Sequence, residues 1–338
     1  MNTKRYPISR LILLFMTLIS SPTSAADTDN SSFFFLGDLW RWFWCTFFGM
    51  CPVCPIFPSN NIWNTRIDQA PVHAKSDAYI ASIGSTTKLH PDFSALSIYG
   101  IPFVEVDRSQ PDIPIEFVAY GAESDPGPYP LPLEAPIEGG PTGTGDRHAI
   151  AVDKQDCYLY ELFNAFPQND NTWHADSGAV FDLQSNDLRP DGWTSADAAG
   201  LPIYAGLVRY DEVARGEITH ALRFTASRTQ SSYVWPARHK ASSITDENVP
   251  PMGQRFRLKS SYDISGFAEP VQVILRALKQ YGLILADNGS NWFIQGAPDP
   301  RFDDDVMREI KQVPGSAFEA VDVSGWMVDP DSGEAQPN

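Results

Sequence analysis

Asp146-Arg147-His148 sets a carboxyl, a guanidinium and an imidazole on consecutive residues, directly after a glycine-rich stretch. Such a triplet at a strand mouth can move protons, or it can anchor a loop through an ion pair. Strand alternation puts His148 on a face with Ile150 and Val152. It puts Glu161 with Cys157, Leu159 and Phe163, and His220 with Ile218, Leu222 and Phe224. An ionisable group on an apolar face is costly unless paired, so each is a structural hydrogen-bond partner or a site residue with a displaced pKa. Asp182 and Asp287 end apolar runs and offer carboxylates at strand mouths, although Asn288-Gly289 also lets Asp287 cap a turn. Two carboxylates flanking a glycosidic bond suffice for hydrolysis. Asp146, His148, Glu161, Asp182, His220 and Asp287 are therefore the catalytic candidates.

Binding candidates cluster elsewhere. Tyr233-Val234-Trp235-Pro236-Ala237-Arg238-His239 packs aromatic, cationic and imidazole groups into seven residues. Aromatic faces stack on the C–H patches of sugar rings, while Arg and His donate to hydroxyls. Trp193 and Trp292 add two platforms, each equally at home in a core, and Arg209 adds a cation near a strand end.

The elements that must position these groups read mainly as short strands. About eleven segments rich in β-branched and aromatic residues are bounded by Gly, Pro, Asn or Asp: 101–106, 115–120, 148–152, 157–163, 179–183, 206–210, 218–225, 232–235, 254–259, 283–286 and 291–294. Two helices follow near the end. Pro270 opens the first and Gly282 closes it, with Val271, Ile274, Leu275 and Leu278 on one face. Asp303-Asp304-Asp305 opens the second. Many strands and few helices predict a mainly β fold, a β-sandwich or jelly-roll-like core with long loops and two C-terminal helices. Stretches 124–145 and 186–202 lack strand pattern and read as binding loops.

Residues 1–25 read as a secretory signal: Lys4, Arg5 and Arg10, an apolar run, then Thr23-Ser24-Ala25. Export to the periplasm or the medium is the expectation. Cleavage removes three positive charges from a formal net charge of −17, leaving −20. A chain this acidic is a poor partner for nucleic acid. Residues 26–58 form an aromatic, cysteine-bearing pre-domain segment, of which 42–58 carries no charge and could touch a membrane interface weakly. Residues 59–325 read as one β-rich domain and 326–338 as a flexible acidic tail. The four cysteines, Cys45, Cys51, Cys54 and Cys157, predict up to two disulfides with three connectivities open. Gly143-Thr144-Gly145 leads into Asp146 rather than a helix, so it is no phosphate cradle, and no nucleotide or zinc-hydrolase motif occurs. No cofactor or metal is expected; Asp299, Asp303, Asp304 and Asp305 read as helix-capping groups before they read as a calcium site.

The run 148–318 resembles a family of secreted bacterial proteins of uncharacterised function. The resemblance is carried by Gly145-Asp146-Arg147-His148, Trp193-Thr194-Ser195-Ala196-Asp197, His220-Ala221-Leu222, Tyr233-Val234-Trp235-Pro236-Ala237 and Asp287-Asn288-Gly289. It implies export and brings no activity. From the residues, the expectation is a secreted carbohydrate-active enzyme, a glycoside hydrolase acting on an extracellular polysaccharide. The alternatives are a polysaccharide lyase with His/Tyr acid–base chemistry and a non-catalytic glycan-binding protein.

Overall fold

A computed structural model describes residues 54–337. The expected signal, most of the pre-domain segment, Cys45 and Cys51 lie outside the described residues. Among the described residues thirteen short strands form three open sheets in a mainly β, sandwich-like fold.

The middle layer is a four-stranded sheet in the order β2 (Val104–Val106), β4 (Ala149–Asp153), β5 (Tyr158–Phe163), β8 (Ser177–Asp182). Both of its faces are covered. Ile150, Val152, Leu159 and Phe181 join the large core, while Ala149, Ala151, Tyr160 and Leu162 face a second core. The third sheet, β3 (Ile115–Phe117), β7 (Trp173–Ala175) and β6 (Phe166–Pro167), contributes Trp173 and Ala175 to that second core.

The largest sheet is six-stranded, in the order β1 (His90–Asp92), β12 (Phe293–Gln295), β9 (Leu222–Ala226), β11 (Leu283–Asn288), β10 (Arg255–Leu258), β13 (Phe318–Val321). Phe224 and Phe256 pack with Trp292 on one of its faces. The opposite face carries Arg223. Among the described residues four α-helices join the sheets: α1 (Ser76–Ile83), α2 (Tyr210–Arg215), α3 (Glu269–Gln280) and α4 (Asp304–Met307).

Helix α3 follows its sequence signals. Pro270 lies in its first turn, Val271, Ile274, Leu275 and Leu278 are buried, and Gly282 closes it at φ 69°. A Cβ on Gly282 would stand 2.1 Å from the Phe256 carbonyl oxygen, so only glycine fits this return into β11. Asp303 caps α4, accepting from the backbone N–H groups of Asp305 and Val306.

Three expectations change. Segment 206–210 is extended at Leu207 and Arg209 but makes only an isolated bridge, Val208 to Gly296, between a 3₁₀ turn (Tyr204–Gly206) and α2. Segment 232–235 makes only an isolated bridge, Tyr233 to Met252. The C-terminal stretch is a docked strap, not a flexible tail. Its Glu334 bridges to Asn61, Trp326 and Ala335 are buried, and Ala335 N–H donates to the Asn60 carbonyl at 2.8 Å. Cys54 pairs with Cys157, closing a separation of 103 residues and tying the start of the body to the middle sheet.

Candidate functional site

The strand pleat brings ionisable side chains to the space between the six-stranded and four-stranded sheets. His148 and Glu161 share the face of Ile150 and Leu159, as alternation requires, and this face looks toward the large sheet. Across from them, β9 presents Arg223. β12 runs antiparallel to β9, pairing Phe293 with Thr225 and Ile294 with Phe224. The same register carries Gln295 to the level of Arg223. β1 then sets Asp92 beside Gln295. On the other flank β11 runs parallel to β9, and a bulge between Leu285 and Asp287 pairs Asp287 with Thr225. Thr225 has the parity of Arg223. Without the extra residue Ala286 would stand where Asp287 stands, so the bulge aims this carboxyl at the site. Loops add Asp197, from the stretch after β8, and Glu138, next to the Ile137–Ala149 bridge.

Arg223 is the hub and is 0% exposed. Its Nη2 lies 3.1 Å from Asp197 Oδ2 and 3.8 Å from Asp287 Oδ2. The first distance is that of a buried ion pair, in which the two groups answer each other's charge. Burial pushes the Asp197 carboxyl up, against the pull of Arg223. Burial and then the Asp197 charge push Asp287 up to about 7, opposed by Arg223 and His148. Burial also raises Asp92, with Glu138 adding to it. Glu161 is raised to about 7 by burial, although its oxygens accept from the Ile203 and Tyr204 N–H groups at 2.8–3.0 Å.

Glu138 behaves oppositely. Burial would raise it, but the neighbouring His148 outweighs burial and holds it below the ordinary carboxylate range. The two are 2.6 Å apart, Nδ1 to Oε2. His148 Nε2 faces the Ala196 carbonyl at 3.0 Å. Both ring nitrogens therefore point at acceptors, which suits the imidazolium. Burial opposes that charge, yet Glu138 wins and raises His148 to about 9. With no lone pair free, His148 is not a general base; it is the cation that keeps Glu138 ionised. Among these groups Asp287, Glu138 and Asp92 are part-exposed, the side chains of the first two 19% and 21% exposed. Asp146 is exposed nearby, and its charge acts on His148, Asp92 and Asp287.

Of the catalytic candidates, Asp146, His148, Glu161 and Asp287 thus gather here. Asp182 does not: it closes a turn, accepting from Gln184 N–H at 2.8 Å. His220 belongs to a second buried cluster. Its Nδ1 lies 2.8 Å from the Ala221 carbonyl, and its Nε2 lies 2.8 Å from Arg209 Nη2 and 3.1 Å from Glu212 Oε2. Arg209 also donates to the Tyr204 carbonyl and Glu212, so it binds the fold to itself. Glu212 is held at about 2: burial opposes its charge, but His220 and Arg209 outweigh burial.

The binding candidates are placed differently from the expectation. Trp292 is 0% exposed among Phe224, Phe256 and Phe318, so no sugar can stack on it. Trp235 Nε1 donates to the Ser332 carbonyl, and Arg238 to the Pro330 carbonyl and Asp331. These two residues fasten the C-terminal strap. Tyr233 donates to Asp191. Half-buried Trp193 lies under the Arg189 guanidinium. His239 Nδ1 contacts the Ala198 carbonyl, steadying the loop that holds Asp197. Arg147 spends its donors on the carbonyls of Pro141, Gly143 and Ala165 and so anchors the glycine-rich loop.

Arg223, Asp197, Glu138, Asp92 and Gln295 were missed by the sequence reading. Alternation could have found Arg223, a charge inside the apolar run 222–226; Asp197 stood in a motif already singled out. No family model matches the chain, and no curated protein or solved structure matches it.

Proposed function

We propose that the protein is a secreted glycoside hydrolase with its active site between the two larger sheets. One observation carries this reading: part-exposed carboxyls border the buried Arg223 and His148, and the surroundings of two of them, Asp287 and Glu138, push their pKa values apart. Asp287 stays protonated to about 7, while Glu138 is ionised. Opposed carboxyls are what glycoside hydrolysis needs. Asp287 gives its proton to the glycosidic oxygen as the bond to the anomeric carbon breaks. Glu138 takes a proton from the water that adds to that carbon. His148 and Arg223 position the two and keep their charges distinct. A lyase built on histidine draws less support, because both nitrogens of His148 and of His220 are engaged.

The test is a polysaccharide panel assayed for reducing ends and for the absorbance of an unsaturated uronate. Reducing ends alone, lost in Asp287→Asn and Glu138→Gln, are the expected result. The unsaturated chromophore would make the enzyme a lyase, and binding with neither signal would make it a glycan-binding protein.

A further inference from the structure

The bulge that aims Asp287 leaves Ala286 paired with no residue of β9 or β10, and Ala286 is 0% exposed. A buried carbonyl needs a donor. Ala286 finds one in the Ala199 N–H, at 3.0 Å. The same N–H lies 3.2 Å from Asp197 Oδ1, so one backbone donor stands between the bulge and the carboxylate that faces Arg223. The turn around it is closed from within. The Asp197 carbonyl accepts from the Thr194 and Ser195 hydroxyls and from the Gly200 N–H, each at 3.1 Å.

Arg238 holds this turn from outside. Its N–H donates to the Ala199 carbonyl at 2.9 Å, and its carbonyl accepts from the Gly192 N–H at 2.8 Å. A Cβ on Gly200 would stand 3.1 Å from that of Arg238, so the turn packs directly on this residue. The Arg238 side chain is only 6% exposed, yet its acceptors belong to the C-terminal strap. Nη1 donates to the Pro330 carbonyl at 2.7 Å and Nη2 to Asp331 Oδ1 at 2.6 Å. Trp235 ties down the Ser332 carbonyl alongside, at 2.8 Å.

From this chain of contacts we infer that strap residues 330–332 are a positioning element for Asp287, acting through Arg238, the 197–199 turn and the Ala286 carbonyl. With the strap docked, the guanidinium has its acceptors, the turn is held from both sides and the bulge keeps its register. With the strap released, Arg238 loses those acceptors in a buried place and moves toward water, and the turn and bulge it holds loosen with it. A bulge re-aims a side chain, so slack in this one is slack in the aim of Asp287. Arg238 and Asp331 touch no reacting atom. The inference rests on the hydrolase reading for what Asp287 does, but the coupling itself needs no turnover.

The test is made on the full chain carrying Trp235→Phe and Asp331→Lys, which removes the indole donor and sets a like charge opposite Arg238. Amide hydrogen exchange, read by mass spectrometry, is compared with wild type over 195–200, 284–289 and, as a control, 158–163. The first two segments should exchange about tenfold faster or more and the control should hold, as in a local opening. Asp331→Glu with Trp235 kept retains the ion pair and should exchange like wild type. The second readout is the carboxyl ¹³C titration of labelled aspartate, assigned from the spectrum of Asp287→Asn. Burial is the chief cause of the raised Asp287, and a loosened bulge admits water, so its midpoint should fall from about 7 by about 1 or more. Unchanged exchange at the turn and the bulge, whatever the strap does, would overturn the inference, as would equal quickening of the control. A wild-type Asp287 midpoint of about 4 would sink the hydrolase's acid, and the exchange pattern would still decide the coupling.

Discussion

Replacing Arg223 by Met keeps a long side chain in the space between the sheets and deletes its charge. At 3.1 Å from Asp197 and 3.8 Å from Asp287, the two attractions are each about 4–5 kcal/mol at an effective dielectric of 20. Desolvation offsets much of that gross value. Removing one partner of a buried pair nonetheless costs about 3–5 kcal/mol, because the remaining charge is left uncompensated. For a body of this size that is roughly a 10 °C fall in melting temperature. The loss should depend on pH. Asp197 and Asp287 are both raised already, and without the cation they rise further. At pH 5 Asp287, at about 7 even beside the cation, is protonated and its share of the stranded charge disappears. Urea unfolding of Arg223→Met should therefore show the full cost at pH 7.5 and a smaller one at pH 5. Asp197→Asn added to Arg223→Met should recover stability at pH 7.5. An equal loss at both pH values, with no recovery in the double variant, would mean that Arg223 acts by packing alone.

Other expectations follow from the same structure. Asp287, Glu161 and His148 all bind their protons more tightly folded than unfolded, with folded values of about 7, 7 and 9. Stability from the two acids is complete below about pH 4 and is lost toward pH 7, and that from His148 is lost between about 6.5 and 9. Glu212, at about 2, works the other way and loses its contribution as pH falls from about 4.5. A melting-temperature profile should peak near pH 5 and decline steadily to pH 9; a plateau through that range would contradict these environments. Trp292→Ala should cost about 3–5 kcal/mol in denaturant unfolding, as for other large core aromatics, whereas a binding platform would cost little. Breaking Cys54–Cys157 with Cys157→Ser should cost about 2–5 kcal/mol, and four free thiols in protein from an oxidising compartment would remove this bridge from the account.

Much of the architecture was legible because strands and helices obey local periods. Alternation in 148–152 and 157–163 put His148 and Glu161 on the face they occupy, and Pro270 and Gly282 marked the ends of α3. Less of the site was legible. Asp287 reaches it through a bulge, and a one-residue slip that reverses a side chain leaves no mark in the run Leu-Ala-Asp-Asn-Gly. Glu138 and Asp197 arrive on loops, where the partner strand and not local sequence decides what they meet. The aromatic cluster at 233–239 misled because composition cannot distinguish a ligand platform from a clamp. Its polar atoms are met by backbone from nearly a hundred residues away. His148 was identified by place but not by role, since its charge depends on Glu138 and Ala196, neither adjacent in sequence.

If Asp287 protonates the leaving group, the loss on removing it must depend on the leaving group. Once the panel identifies the sugar, wild type and Asp287→Asn are compared on aryl glycosides of that sugar, from a dinitrophenolate to an unactivated phenol. A good leaving group departs without a proton and a poor one does not. Asp287→Asn should lose about 10²–10⁴-fold on the poor leaving group and less than about tenfold on the best one. Its pH–rate profile should also lose the limb near pH 7 that wild type shows. Equal losses across the series, with that limb retained, would mean that Asp287 is not the acid.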